Sequence, residues 1–261
     1  MVLGRHLSEV IRFRALIYAL VRRYLAMRYR GSSLGFFWSL LNPLCLMAVY
    51  TLVFRYYIRL ESEQHYSIFL FCGLLPWMWI ASSISESASA IVNSGHLVTK
   101  SAFPAHVLPG VQVITNMVHF ILALPVLMLF MLWAGMPLMA TWVQVPLITV
   151  LTFFFLYGIA VGLAALNVFF RDVQHVIANG LSLLFFLCPV VYSATSIPEK
   201  HRALYMLNPC ALIINAYHQA ILEGVWVPLS SFGYMFVWVL LVNLVGHGVY
   251  DFYREDFAEM L

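Results

Sequence analysis

The sequence predicts an all-α integral membrane protein, and three observations predict it. Hydrophobic residues make up 63% of the 261 residues and charged residues only 10%, where a soluble domain carries about 25% charged. Mean hydropathy is +0.89. The apolar residues also fall in runs long enough to cross a bilayer at roughly 20 residues each, with little chain left over for a soluble domain. The whole of 1–261 therefore reads as one membrane domain. It divides into an interfacial helix and turn (1–35), spans one to five (36–194), an extracytoplasmic re-entrant region (195–227), span six (228–250) and a cytoplasmic tail (251–261).

Residues 5–30 read as an amphipathic helix lying in the headgroup plane. Arg5, Arg12, Arg23 and Arg30 fall on one stripe, and Leu3, Leu7, Val10, Ile17, Val21, Tyr24 and Leu25 lie roughly opposite. Arg14 and Arg28 interrupt the apolar face, so either the helix breaks there or these side chains point at something charged. Gly31 and Gly35 bracket a turn that lets the chain plunge from the surface into the bilayer. Span one is Phe36–Ile58, with a kink expected at Pro43. Arg55, Arg59, Glu61 and Glu63 mark the polar loop after it. Span two runs from Tyr66 to about Val92, aromatic in its first half and studded with serines and Glu86 in its second. A carboxylate at that depth must face protein or water. It reads as a hydrogen-bond partner for the serines or as a proton carrier.

A polar connector follows from Asn93 to Pro104, then span three to Trp133, with Pro109 and Pro125 inside it. Gly135-Met136-Pro137 turns the chain into span four, Thr141–Phe169, where Gly158 and Gly162 form a G-x-x-x-G spacing suited to close helix contact. Span five is Val176–Ala194, and span six is Leu229–Tyr250. Between them Ala203–Leu222 is apolar but interrupted by Asn208-Pro209 and Asn215. A lone span there would carry broken backbone into lipid, so two short re-entrant helices packed in protein fit better. The positive charges agree. Arg5, Arg12, Arg14, Arg22, Arg23, Arg28, Arg30, Lys100, Arg171 and Arg254 then fall on one side, against Arg55, Arg59, Lys200 and Arg202 on the other. The richer side is cytoplasmic and holds both termini.

Several function classes are disfavoured. Cys45, Cys72, Cys188 and Cys210 form neither a C-x-x-C nor a zinc spacing, and the nine histidines form no H-E-x-x-H, so no metal is expected. Gly31-Ser32-Ser33-Leu34-Gly35 matches the hydrolase nucleophile elbow, but a basic helix precedes it and a span follows, where that motif needs a strand and then a helix. It reads as a hinge. The chain has no G-x-x-x-x-G-K-[ST] phosphate loop, so any ATP hydrolysis would belong to a partner chain. No cleavable signal peptide is expected, because the first residues alternate arginine with apolar side chains.

The stretch Arg28-Tyr29-Arg30-Gly31-Ser32-Ser33-Leu34-Gly35-Phe36-Phe37-Trp38-Ser39-Leu40-Leu41-Asn42-Pro43, followed by Tyr50-Thr51-Leu52-Val53-Phe54, resembles the start of the membrane subunit of type-2 ABC exporters. The nearest branch moves lipid-linked polysaccharides such as O-antigen and teichoic acid. Leu75-Pro76-Trp77, Leu97-Val98-Thr99-Lys100 with Phe103-Pro104, Phe169-Phe170-Arg171-Asp172-Val173, Pro189-Val190-Val191-Tyr192-Ser193 and Leu207-Asn208-Pro209 extend the likeness over nearly the whole chain.

The resemblance implies a channel-forming permease, not an enzyme, in a bacterial inner membrane. It implies two copies of this chain with two copies of an ATPase that binds ATP and Mg2+, a lipid-linked polysaccharide substrate, surrounding lipid and no nucleic acid. Gly95, His96, Leu97, Val98, Thr99 and Lys100 would then couple to the ATPase, with Arg171 and Asp172 at a second contact. Arg28 and Arg30 beside Leu34 and Gly35 would admit the lipid diphosphate, or simply attract anionic lipid. Phe36, Trp38, Tyr50, Phe54, Phe185 and Tyr192 are candidates to line a sugar path, since C–H faces of sugars stack on aromatic rings; ordinary span packing is the other reading. Export of capsule, a drug or a lipid by the same architecture, or an intramembrane transferase, are the alternatives.

Overall fold

The computed structural model describes residues 12–28, 30–32, 35–58, 65–96 and 104–261, and among these there is helix, turn and irregular chain but no strand. Helix α1 is Arg14–Arg28. A 3-10 turn at Gly35–Phe37 leads into α2, Trp38–Tyr50, which continues as a π-helix over Thr51–Tyr57. Then come α3 (Tyr66–Ala88), α4 (Val107–Trp133), α5 (Val145–Phe169) and α6 (Val173–Phe186). Two short helices follow, α7 (Glu199–Met206) and α8 (Pro209–His218), before α9 (Leu229–Tyr253) and the last turn, α10 (Phe257–Met260). Among the described residues, five stretches are long and apolar enough to cross a bilayer: Trp38–Tyr57, Tyr66–Ala88, Val107–Trp133, Ala140–Phe169 and Leu229–Asp256.

These bounds track the expected spans one, two, three, four and six. The expected span five differs. The helix covers only 14 residues and stops at Phe186 rather than Ala194. At 1.5 Å per residue that is about 21 Å, short of a hydrocarbon core of about 30 Å. The physical reason lies in Leu187–Ser193, where Pro189 has no N–H to continue the ladder and the chain folds back while staying apolar.

The chain orders itself between two ends. At one end Tyr24 Oη and Ser94 Oγ are 3.4 Å apart. Phe257 is buried there with Ile91, Ala105, Val161, Ala164, Ala165, Val168 and Tyr250. So α1, the connector after α3, the α5–α6 corner and the tail share that end. At the opposite end the Tyr66 hydroxyl donates to the Val191 carbonyl (2.9 Å), Thr141 Oγ1 donates to the Ala220 carbonyl (2.7 Å), and Trp142 Nε1 donates to the Ile221 carbonyl (3.2 Å). Gln144 clasps Val227 in both directions, accepting from its N–H at 3.1 Å and donating to its carbonyl at 3.4 Å.

Val191 and Gly224 therefore lie at the same end, and 192–223 leaves and rejoins the bundle there. Helix α8 begins deep, where Pro209, Leu212 and Ile213 meet Leu151, Phe155, Met235 and Val239. Its start is built from local chemistry: the Asn208 side-chain oxygen caps it, accepting from the N–H groups of Cys210 (3.0 Å) and Ala211 (3.3 Å), and Pro209 occupies the first turn. Helix α8 continues as a π-helix over Gln219–Glu223, which Gly224, at φ +64, ends in the left-handed region.

The closest helix crossing joins α5 to α9. A Cβ on Gly158 would stand 2.7 Å from the Asn243 nitrogen, and one on Gly162 3.0 Å from the Gly246 Cα. The G-x-x-x-G pair thus brings the two backbones into contact, and Asn243 Nδ2 adds an interhelical bond to the Phe154 carbonyl at 2.9 Å.

Candidate access groove and coupling face

Polar residues recur along one face of each of two apolar helices. On α3 and the residue that caps its end they are Ser82, Glu86 and Ser89, and on α4 they are Gln112, Asn116 and His119, both at the i, i+4, i+7 spacing that lines up side chains. The two helices are neighbours, so the stripes form a polar groove between them. Helix α1 closes over it. Its Leu20 and Val21 are buried, with Ile17, Tyr24 and Leu25 packed around Ala90, Val107, Leu108 and Val111. Burying Leu20 and Val21 is worth about 1.5–3 kcal/mol each, which fixes where the last residue of the helix, Arg28, must fall.

Arg28 falls on Glu86. Its Nη2 donates to Glu86 Oε1 at 2.8 Å, and its Nη1 donates to Asn116 Oδ1 at 3.0 Å. Asn116 Nδ2 closes the triangle by donating to Glu86 Oε2 at 2.9 Å, and also reaches the Gln112 carbonyl at 3.1 Å. Both charged side chains are about one-third exposed, at 37% and 35%. The ion pair itself is then worth about 0.2–1 kcal/mol; the orientation supplied by Asn116 adds to that.

Two cavities meet at this triangle. One, the inner cavity, of about 330 Å³, lies between α2, α3 and α4 and is walled by Trp38, Ser39, Asn42, Pro43, Met78, Trp79, Ser82, His119 and Phe120. The other, of about 360 Å³, lies toward the connector and is walled by Tyr24, Met27, Ser89, Asn93, Gln112 and Thr115. Arg28 borders both.

Of the predicted headgroup residues, Arg28 thus sits in the groove but already holds a carboxylate. Helix α1 is unbroken from Arg14 to Arg28, so the Arg28 charge on its apolar face is explained by a partner and not by a break, whereas Arg14 opens the helix after a turn at Phe13. Arg30 is exposed in the following turn, and Arg14 is exposed on α1. Gly31 (φ +79) and Gly35 (φ +48) both take left-handed backbone, as a hinge requires; Leu34 lies outside the described residues. The serines expected to serve Glu86 do not: Ser89 donates to the Glu86 backbone carbonyl (3.3 Å) and Ser87 to that of Pro109 (3.2 Å).

The predicted aromatic residues divide. Tyr50, Phe54 and Phe185 come together, with Tyr50 and Phe185 centroids 5.6 Å apart and Phe54 6.1 Å from Tyr50. Trp77, not anticipated, joins them at 5.5 Å from Phe185. This seam ties α2, α3 and α6, and Phe185 is covered by it rather than facing an open path. Trp38 stands apart, at the wall of the inner cavity. Tyr192 is also outside the seam; its hydroxyl donates to the Phe186 carbonyl at 3.1 Å. The Phe36 side chain lies outside the described residues.

Of the predicted coupling residues, Gly95, His96, Arg171 and Asp172 are described, whereas Leu97, Val98, Thr99 and Lys100 are not. His96, Arg171 and Asp172 are exposed. The Gly95 Cβ position lies 3.4 Å from Leu261 Cβ, and Leu261 also borders a 230 Å³ cleft with Asn167, Arg171 and Gln174. The connector, the α5–α6 corner and the tail thus form one continuous face. Asn116, His119 and Trp77 are the site residues that sequence reading passed over. For the first two a signal existed, in the spacing of Gln112, Asn116 and His119 along an otherwise apolar helix.

The groove and this face have a family setting. Residues 15–222 match the family described as ABC-2 type transporter. The chain is 38% identical to the O-antigen export system permease protein RfbA of Myxococcus xanthus, over 98% of this chain and 99% of that one. It is 30% identical to the protein of the same name in Klebsiella pneumoniae, over 94% and 95%. It is 22% identical to the polysialic acid transport protein KpsM of Escherichia coli, over 89% and 91%. The family match runs from α1 into the stretch that follows α8, taking in the groove, the aromatic seam, the exposed α7 and the buried α8, and by that match the chain belongs to the ABC-2 type transporter family.

Proposed function

We propose that this chain is the permease of an ATP-driven exporter that moves a lipid-linked polysaccharide of O-antigen type across a bacterial inner membrane. The observation that carries the reading is the 38% identity, end to end, with a relative named as an O-antigen export permease. A partner ATPase supplies ATP hydrolysis, two copies of each chain make the exporter, and both termini face the cytoplasm. Helices α2, α3, α4, α5, α6 and α9 make six crossings, α6 completed by the apolar turn at Leu187–Ser193, and α7–α8 is the extracytoplasmic re-entrant pair. Helix α1 lies at the cytoplasmic interface.

On this reading the groove at Arg28 receives the diphosphate end of the lipid. Arginine suits that role because its planar fork binds phosphate oxygens in pairs. Trp38 at the inner cavity offers a ring to the sugar that follows. The aromatic seam of Tyr50, Phe54, Trp77 and Phe185 would part to open the path between copies. Gly95 to Lys100, with Arg171 and Asp172, seat the connector on the ATPase.

The test is deletion of the gene in its own host. Surface polysaccharide should disappear and lipid-linked polymer accumulate on the cytoplasmic leaflet, with restoration by the wild-type gene. An ATPase should co-purify with the tagged chain. Normal surface polymer in the deletion strain would overturn the reading.

A further inference from the structure

We propose that Arg28, Glu86 and Asn116 form a closed charge gate between the two cavities, with the Glu86 carboxylate holding the place of the substrate's anion. This rests on the reading of the groove as the route of an anionic headgroup. Three observations carry it. The triangle is where the cavities of about 330 Å³ and 360 Å³ meet, and Arg28 borders both. Arg28 spends one guanidinium nitrogen on the carboxylate and another on Asn116, which itself holds the second carboxylate oxygen, so Glu86 is gripped on both oxygens as a phosphate oxygen pair would be. Both charges remain about one-third exposed, so an incoming anion can reach the guanidinium and displace the carboxylate without stripping a fully buried pair.

The exchange needs little motion. Arg28 is the last residue of α1 and is followed by the Gly31–Gly35 turn, whose glycines are already in the left-handed region. Glu86 lies on α3, which is held elsewhere by a buried core. The mobile partner is thus the arginine end and the fixed partner the carboxylate. Glu86 is a positioning residue: it keeps Arg28 across the groove until a stronger anion arrives.

The experiment uses the full chain in inside-out membrane vesicles with Cys45, the one exposed cysteine among the described residues, replaced by serine. Ser82→Cys places a thiol in the inner cavity. Anionic sulfonatoethyl and cationic trimethylammonioethyl methanethiosulfonates are then applied. Glu86→Gln should speed the anionic reagent by up to about fivefold over the parent, the scale of one partly exposed ion pair, and the cationic reagent much less. Arg28→Ala should reverse the preference, since the carboxylate then stands alone. The double swap Arg28→Glu with Glu86→Arg should restore slow labelling and serves where a single variant fails to accumulate. Unchanged rates in all variants, or equal acceleration for both reagents, would overturn the gate. Export assayed in parallel separates the two readings. A gate that behaves as described while Arg28→Ala exports normally overturns the headgroup route and not the gate, whereas unchanged labelling with lost export does the reverse.

Discussion

Gly246→Ala tests the α5–α9 crossing most directly. A Cβ there would run into the Gly158 carbonyl oxygen and stand 2.9 Å from its carbon. An ordinary C···O contact is about 3.3–3.6 Å, so the helices must part to admit it. Gly158 is backbone and no rotamer can relieve the clash. Overpacking of this kind costs about 1–3 kcal/mol. The separation also lengthens the Asn243 to Phe154 bond, now 2.9 Å, beyond useful range. An interhelical bond in a membrane is worth about 0.6 kcal/mol, at most about 1.7. Together the loss is about 2–4 kcal/mol, which for a chain of this size lowers the melting midpoint by about 4–16 °C. The assay is thermal unfolding of the detergent-solubilised chain, read by size-exclusion recovery. Gly248→Ala and Gly233→Ala are the controls, on the same helix, with nothing within 4 Å of their Cβ positions. They should melt like the parent or slightly above it. A Gly246→Ala chain melting with the parent, or controls falling as far, would refute the claim that backbone contact holds this crossing.

Asn208→Ala removes the cap of α8 and the link from Nδ2 to the Leu187 carbonyl at 3.2 Å; it should destabilise the chain by about 1–2 kcal/mol in the same melt. Phe257→Ala empties a site that is 2% exposed, at a cost of about 3–5 kcal/mol, and should release the tail to limited proteolysis. For the orientation, a cysteine at Glu199 or at Val225 should react with an impermeant reagent from outside the cell, and one at Glu255 only from the cytoplasm. Reaction of Glu199 and Val225 from opposite sides would show that the short pair spans rather than re-enters.

Much of this molecule is written locally. The five long apolar helices follow from run length alone, and Gly31 and Gly35 announce a turn because few other residues accept their φ values. Asn208-Pro209 announces a helix start for the same kind of reason, a cap followed by a residue that fits the first turn. Gly158 and Gly162 show that α5 will be crossed closely, but nothing in them names Gly246 as the partner, because that depends on which helix the fold brings alongside. The groove has the same split. Arg28 on an apolar face and Glu86 in a span are each legible as charges in need of a partner. Their pairing across 58 positions is not, since it needs α1 to dock on α4 through Leu20 and Val21. The short α6 escaped because Leu187 to Val191 remain apolar after the helix has ended; hydropathy reports burial, and a buried turn is as apolar as a buried helix.

On the proposed reading, the positions of the groove and of the face formed by the connector, the α5–α6 corner and the tail would give the exporter a short mechanical path. The connector touches the ATPase on the proposed reading, and it touches the tail at Leu261. Ser94, in the same connector, meets the Tyr24 hydroxyl at 3.4 Å. Tyr24 lies four residues before Arg28 on α1, so the two are neighbours one turn apart on one face. A helix of 15 residues seated on α4 by a few apolar contacts responds to a push as a rod, not as a spring. Glu86 sits on α3, which is buried along most of its length against α4, α5 and α8. On the proposed reading, a displacement of the connector that shifted α1 would move Arg28 relative to Glu86, and an ion pair formed at 2.8 Å loses most of its directional bonding over the length of a hydrogen bond. The same motion that follows ATP binding would thus free the guanidinium at the moment the path behind it opens. Tyr24→Phe separates this linkage from the gate itself: it deletes the Ser94 contact while leaving Arg28, Glu86 and Asn116 in place. On the proposed reading ATP should accelerate Ser82→Cys labelling in the assembled exporter, and Tyr24→Phe should leave resting labelling slow but abolish that acceleration; acceleration as in the parent would show that the connector reaches Arg28 by another route.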